Sequence, residues 1–510
     1  MRWTALSCAL LFALTISPAR ADDRLRVLPE PREVSGYAAA GLRLNSGLTI
    51  AYRGVSADAA ANAQIGRRWA VIGVTVGAPR PTEWTGPAQV VVSGLSAANR
   101  YLRARLGSEG YVLLADPHGV RIQAEGSAGR FYGLMTLCQL PRHDRSGWRL
   151  PSVKIVDWPA LRWRGLSDDI SRGPIPTIEF FEDRIRTLAA FKANLYSPYM
   201  EHVFFTAGDP LPAPPDALDA AQLRDLSRYA ALFHITLMPE QETLGHMHHA
   251  LAMQQYAALA EVPNGAVLSP AVPQSAEYAG RLVRAEAAAV TSRTPFFHIG
   301  GDEPFELGTG KARELLGRSG PAKLYADYFA PIWADVQAAG MRPVIWGDFL
   351  LAHPEAIPLL PKDVVIANWH YGAQRSFERF LQPFARAGLE QFVSPGDSNW
   401  GEIYPDISAA VGNTGRYIAD GQRTRGVIGV LDTVWNDDGE TLFNATWYPV
   451  LYGVAAGWQF GFADERRFHD RFAWSFFGTD GDRLTRDIDD LRQANTDLTT
   501  TPSDASDYQF

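Results

Sequence analysis

A chain of 510 residues exceeds one average domain; at about 100–200 residues per domain it suits two, or one large barrel with an appendage. Its 46% hydrophobic and 20% charged content, with 45 Gly and 34 Pro, excludes wholesale disorder. The formal charge of −8, from 56 acidic against 48 basic side chains, leaves no cationic surplus to neutralise a phosphate backbone, so nucleic acid is not an expected partner.

Residues 1–21 read as a secretory leader. Arg2 supplies the positive start, Ala5 to Ile16 the apolar run, and Ala19-Arg20-Ala21 a small-residue cleavage site before Asp22. The run is too short to span ~30 Å of hydrocarbon, so a cleaved leader and an exported mature chain (periplasmic or secreted) are expected, not an anchor. Cys8 leaves with the leader. Cys138 is then the sole thiol, which excludes an intramolecular disulfide and a Cys-based metal site. No later segment is apolar enough to span a membrane, and nothing in the chain specifies an oligomeric state.

Residues 22–157 form the first unit. Val90-Val91-Val92, Gly110 to Leu114 and Val120 to Ile122 read as short strands, and Ser96 to Leu106 and Gly129 to Leu140 as helices. The unit holds no dense set of His, Asp and Glu, so a small α+β scaffold domain is expected.

Residues 158–510 carry a recurring unit in which an apolar run ends in polar residues and a helix follows. The runs are Leu161 to Asp169, Asn194 to Tyr199, Ile235 to Met238, Phe296 to Ile299, Val344-Ile345, Val364 to Ala367, Phe392-Val393 and Val427 to Leu431. Between them lie apolar faces at helical spacing, such as Ile178, Phe181, Ile185 and Leu188, then Leu223, Leu226, Ala230 and Phe233, then Tyr325 to Val336, stopped at Gly340. Eight strands over about 300 residues predict a (β/α)8 barrel. The competing architecture, a doubly wound open sheet, lacks a Gly-rich phosphate loop after the first strand.

Barrels place chemistry at the C-terminal ends of their strands. Polar and aromatic residues collect there: Asp168-Asp169, Glu201-His202, Glu240 to His246, Asp302-Glu303, Trp346 to Asp348, Asn368 to His370, Asp397 to Trp400 and Trp435 to Asp437. Carboxylates that move protons and indoles that stack on a ring predict a glycosidase pocket. The sharpest motif is Phe297-His298-Ile299-Gly300-Gly301-Asp302-Glu303, in which adjacent carboxylates at a strand end point different ways and take different roles.

With that motif, the chain resembles the family 20 glycoside hydrolases, the β-N-acetylhexosaminidases, whose signature is His-x-Gly-Gly/Ala-Asp-Glu. Gly129 to Leu137 is similar to their non-catalytic domain. Trp163 to Leu166 with Asp169 to Arg172 is similar to their first barrel strand, and Pro239-Glu240-Gln241-Glu242-Thr243-Leu244-Gly245-His246 to their Pro-Glu-Ile-Asp-Met-Pro-Gly-His segment. The resemblance implies substrate-assisted retention, an exception to the usual two-carboxylate schemes. Glu303 would be the general acid and base, and Asp302 would hold the 2-acetamido group. Arg164 would grip the sugar's 3- and 4-hydroxyls, Trp346, Trp369 and Trp435 would wall the pocket, and Asp437 would bind outer hydroxyls. His246 would pair with Glu242 and polarise Glu303, with His298 as further support.

Three departures mark the chain. Glu242 replaces the usual Asp. Tyr196 to His202 replaces the Trp-His-Leu-Thr-Asp-Asp of the second strand, which leaves Glu201 or His202 to substitute. Ser394 to Trp400 lacks the acetamido-binding Tyr, for which Asn399, Trp400 or Tyr404 could serve. No cofactor is expected, and the His246-Met247-His248-His249 run is read as no metal site because His246 is engaged elsewhere. A glycan is the expected partner. Two other functions fit the same barrel: an inactive glycan-binding protein, against which the intact Asp302-Glu303 pair argues, and a different retaining glycosidase.

Overall fold

The structure, a computed structural model, describes residues 25–499 except 45–46, 97–98, 292–293, 438, 440 and 480–481. The expected leader, with its cleavage site, lies outside the described residues. Among the described residues no helix is long and apolar enough to cross a membrane.

The first unit is a seven-stranded sheet. Its strands are β1 (Glu33–Arg43), β2 (Ile50–Arg53), β3 (Val90–Ser93), β4 (Tyr111–Asp116), β5 (Gly119–Gln123), β6 (Arg142–Asp144) and β7 (Gly147–Asp157). They run in the order β1-β7-β4-β5-β3-β2, with β6 paired to β7. The middle strands bury alternate residues: in β4, Tyr111, Leu113 and Ala115 face the core and their neighbours face outward. Helix Ser127–Gln139 lies against this face, with Gly133 close under Ile122 and Tyr111. The expected strands and the helix near Gly129 are present, whereas the helix expected from Ser96 begins at Arg100, residues 97–98 of that expectation lying outside the described residues. The structure adds β1, an edge strand with only Val34 buried, which no apolar run announces.

The second unit is a closed ring: β8 (Trp163–Asp169), β9 (Leu195–Met200), β10 (Thr236–Leu237) with β11 (Glu240–Gln241), β12 (Phe296–His298), β13 (Arg342–Trp346), β14 (Val365–Trp369), β15 (Glu390–Ser394) and β16 (Val427–Val434). β10 and β11 both pair in parallel with β9 and are two halves of one barrel strand, divided where Pro239 lacks an N–H. β16 pairs in parallel with β8, and β8 with β9, so the ring closes on eight positions. This is a (β/α)8 barrel preceded by a small α+β domain; the open sheet is excluded.

Period-two alternation separates the interior of the barrel from its helical coat. Phe296, Val344, Trp346, Val365, Ala367, Phe392 and Leu431 fill the ring, whereas Phe297, Ile345, Ile366, Val393 and Val430 pack outward under helices. The coat follows the expected apolar faces. Helix Ile178–Ala190 buries Phe181, Ile185 and Leu188, and helix Ala220–Leu232, opened by a capping box at Asp219 and Gln222, buries Leu223, Leu226 and Ala230. Helix Arg313–Ala338 bends at Gly320, where φ is 74° before Pro321.

The two units are joined by buried polar groups as well as apolar ones. Asp157, at the end of β7, accepts from Tyr111, from Lys192 Nζ at 2.9 Å and from Trp458 Nε1 at 3.0 Å. All four residues are buried, so the ion pair is satisfied on every side, as a buried charge requires.

Candidate active site

β12 ends at His298, and the chain turns sharply through Gly300 (φ 65°), Gly301 (φ 93°) and Glu303 (φ 45°). A Cβ at Gly300 would overlap the Glu242 carboxylate, and one at Gly301 would stand 2.8 Å from the Phe329 ring and 2.9 Å from the Tyr325 hydroxyl. The glycine pair therefore lets Glu242 lie directly beneath the turn, where it accepts from Gly301 N at 3.2 Å. Asp302 is driven inward, buried at 7% exposure, while the side chain of Glu303 stays 38% exposed at the mouth. The strained turn separates two sequence neighbours into different environments.

Their proton affinities differ accordingly. Burial and the Asp302 charge raise the pKa of Glu303 from its ordinary value, although His246 opposes this. Burial alone would also raise that of Asp302, but the His246 imidazolium and a hydrogen bond from Glu242 overcome it, and Asp302 is held below its ordinary value. Glu242, fully buried beside that charge, is shifted well upward and keeps the shared proton. The site thus holds a neutral Glu242, an ionised Asp302 and a Glu303 that retains its proton to higher pH.

His246, itself at φ 54°, points Nε2 at both catalytic candidates, 3.4 Å from Asp302 Oδ2 and 3.6 Å from Glu303 Oε2. Burial would lower its pKa, but Asp302 raises it to about 9. The expected pairing of His246 with Glu242 is corrected: Glu242 lies under the Gly-Gly turn, and His246 meets Asp302, Glu303 and Arg172 instead. His298 is fully buried. Its Nδ1 accepts from Gly300 N at 3.0 Å, its ring packs against Trp346 at 4.3 Å, and burial lowers its pKa to about 3, so it shapes the turn as a neutral ring.

Arg164 is corrected as well. It sits on the outward parity of β8, toward the end opposite the pocket, and is fully buried. Its guanidinium is consumed by Glu109 of the first unit and by the carbonyls of Leu161, Arg162 and Lys192. The cation at the mouth is Arg172, after the end of β8. It reaches Asp169, Glu201, Asp437 and the Tyr199 hydroxyl, and lies over the Trp435 ring at 5.4 Å. Glu201 is therefore in the pocket, with Oε1 accepting from Tyr199 and Arg172.

The aromatic wall is continuous. Trp346 packs on Trp435, Trp435 donates its indole N–H to Tyr371 at 2.6 Å, and Tyr371 packs between Trp369 and Trp400. Asn399 is corrected from a substrate contact to a clamp: its amide is spent on both the N–H and the carbonyl of Trp435. Tyr404 is corrected too, since it packs half-buried against the large core. Sequence reasoning left Arg172, Tyr371 and Asp348 without roles. Asp348 is half-buried and accepts from Glu303 N at 3.0 Å and Trp369 Nε1 at 3.2 Å, joining Glu303 to the wall. Its position two residues after Trp346 at a strand end was the available signal.

This geometry agrees with what comparison with known proteins finds. Residues 24–158 match the model for glycosyl hydrolase family 20, domain 2, and residues 214–418 that for the family 20 catalytic domain, about two thirds of the chain together. A beta-hexosaminidase of Vibrio furnissii is 24% identical over 58% of this chain and 53% of its own length, and a beta-N-acetylhexosaminidase of Cellulomonas fimi 26% identical over 60% and 62%. The chain thus spans little more than half the length of these curated relatives. Among solved structures, an exo beta-N-acetylglucosaminidase of Vibrio harveyi superposes with a TM-score of 0.71 at 19% identity, covering 93% of this chain and 79% of its own. An N-acetyl-beta-hexosaminidase of Streptomyces plicatus gives 0.67 at 20%, covering 90% and 95%.

Proposed function

Because the chain belongs to glycosyl hydrolase family 20, as a divergent member, we propose that it is an exo-acting β-N-acetylhexosaminidase that releases terminal GlcNAc or GalNAc with retention. The observation that carries this reading is the separation of two adjacent carboxyls at one strand end, Asp302 buried against His246 and Glu303 open at the mouth, with pKa shifts of opposite direction, Glu303 up and Asp302 down. A general acid must hold its proton near neutrality, and a group that supports a developing positive charge must be ionised.

In this reading the acetamido oxygen attacks the anomeric carbon as the glycosidic C–O bond breaks, and Glu303 gives its proton to the leaving oxygen. Asp302 accepts the acetamido N–H and balances the charge of the resulting oxazolinium ion. Water then attacks the same carbon, Glu303 takes its proton, and the ring of the oxazolinium opens to a hemiacetal of unchanged configuration. Tyr371 takes the place of the missing acetamido-binding Tyr. Its oxygen already accepts from Trp435, which leaves its own O–H to donate to the acetamido oxygen. Arg172, supported by Glu201, and Asp437 bind the outer hydroxyls, and Trp346, Trp369, Trp400 and Trp435 form the walls.

A panel of aryl β-glycosides varying at C2 and C4 tests this function. Turnover of N-acetylglucosaminide and N-acetylgalactosaminide without turnover of the plain glucoside is expected; efficient hydrolysis of the glucoside would contradict it. Export after cleavage following Ala21 is part of the proposal, and intact mass of the exported chain should begin at Asp22. Retained Met1 would overturn it.

A further inference from the structure

On the rim of the pocket a second set of side chains converges, and it excludes His246. We propose that Glu201, His248 and His249 form a binding site for a zinc-type divalent transition metal, and that its occupancy damps turnover through Glu201. One ligand atom from each of the three lies within 4.8 Å of the other two. Glu201 is buried at 2% exposure, and only half of its carboxylate is used: Oε1 takes Tyr199 and Arg172, whereas Oε2 has no hydrogen-bond partner among the described residues. An unmatched carboxylate oxygen in the interior calls for a partner. His248 Nδ1 stands 4.0 Å from it, too far for a hydrogen bond. Zinc bonds of about 2.0–2.2 Å place two ligands of one tetrahedral ion roughly 3.3 Å apart, so about 0.7 Å of closure suffices for Glu201 and His248 and at most about 1.5 Å for the set.

The imidazoles are held for this. His249 stacks on His202 at 3.8 Å with 23° between planes, and His248 packs on His249 at 4.1 Å. Stacking engages ring faces and leaves the in-plane nitrogen lone pairs available. His248 and His249 are exposed, so an ion has an entry path from solvent, and water completes the sphere. Two imidazoles and one carboxylate suit zinc and its first-row neighbours; calcium and magnesium prefer all-oxygen sets. The same Glu201 holds Arg172, which reaches His246 and Asp437. A dication on Oε2 draws that charge away from Arg172 and loosens the mouth. This coupling rests on the hexosaminidase reading; metal binding does not.

Calorimetric titration of ZnCl2 into the chelator-treated, desalted chain tests the site, alongside the double variant His248→Ala/His249→Ala and a MgCl2 control. Expected are one zinc per chain, no magnesium binding, and a loss of zinc affinity in the variant at least as large as the roughly ten- to hundred-fold seen on losing an outer-shell partner. Zinc should lower kcat/KM on an aryl N-acetylglucosaminide in the wild type but not in the variant, whose metal-free rate should match the wild type. No saturable zinc binding, equal affinity in the variant, or equal binding of magnesium would overturn the site. Zinc binding lost in the variant with turnover unaffected in both would overturn the coupling alone. If neither chain hydrolyses the substrate, the functional reading fails while calorimetry still decides the metal site.

Discussion

Arg164 and Glu109 close the seam between the two units with a two-point ion pair, Nη2 to Oε1 at 3.0 Å and Nη1 to Oε2 at 3.2 Å, and the guanidinium is wholly buried. Its Nε, Nη1 and Nη2 all donate to protein acceptors, and burial away from the pocket keeps it from a sugar. Arg172, with the same chemistry, stands 15% exposed at the opposite end of the barrel among Asp169, Glu201 and Asp437. β8 thus carries one arginine for the fold, and the loop after it one for the mouth.

The two should separate in experiment. Glu109→Gln leaves Arg164 with a buried, uncompensated charge, and breaking such a pair costs about 3–5 kcal/mol. Tm should fall while kcat and KM of the folded fraction stay near wild type. Arg172→Met should raise KM and lower kcat with a smaller effect on Tm. A KM effect from Glu109→Gln matching that of Arg172→Met would show that the roles are wrongly divided.

The pH profile follows from the charges around Glu303. Asp302 raises its pKa and His246 lowers it, so the basic limb of kcat/KM should move to lower pH in Asp302→Asn and to higher pH in His246→Gln. Both variants turn over more slowly than wild type, and the shift is read from the residual activity. Shifts of the same sign in both variants would contradict the arrangement.

Stability carries a linked signature. His246 has a folded pKa of about 9, above the ~6.5 of an unfolded chain. Its attraction to Asp302 therefore stabilises the fold fully below pH ~6.5 and is lost as pH rises through about 9. The Tm difference between wild type and His246→Gln should be larger at pH 6 than at pH 10. A difference independent of pH would assign His246 to packing instead of charge.

Hydrolysis itself needs no metal in this account, since acid, base and nucleophile are carboxyl and acetamido groups. EDTA should not lower the rate of the desalted protein. A large loss restored by a divalent ion would refute that chemistry.

What could be read from the sequence depended on whether a residue's partners lay near it in the chain. The barrel strands announced themselves because parallel strands buried on both faces are short apolar runs, as in Val364 to Ala367. Their polar ends revealed the Asp302-Glu303 pair. β1, rich in Ala and Gly and exposed along most of its length, offers no such pattern. The choice between Arg164 and Arg172 turns on strand parity and on which end of β8 faces the pocket, and both require the register with β16. Asn399 and Tyr404 follow β15 in a loop whose partners, the Trp435 backbone and the large core, are remote in sequence. His246 meets Asp302 and not Glu242 because Glu242 lies beneath the Gly300-Gly301 turn, accepting from Gly301 N.

The division of labour between Asp302 and Glu303 is tested most directly by single-turnover rates across a series of aryl leaving groups, with NMR of the first-formed anomer. A positioned general acid contributes roughly 10²–10⁴ in rate. Glu303→Gln should therefore lose most on poor leaving groups and little on very acidic phenols, which leave without protonation. Asp302→Asn should slow glycosylation for every leaving group, because the acetamido nucleophile is misplaced and its charge unsupported. The wild type should release the β-anomer first. Equal leaving-group sensitivity in the two variants, or an α-anomer as first product, would contradict the account.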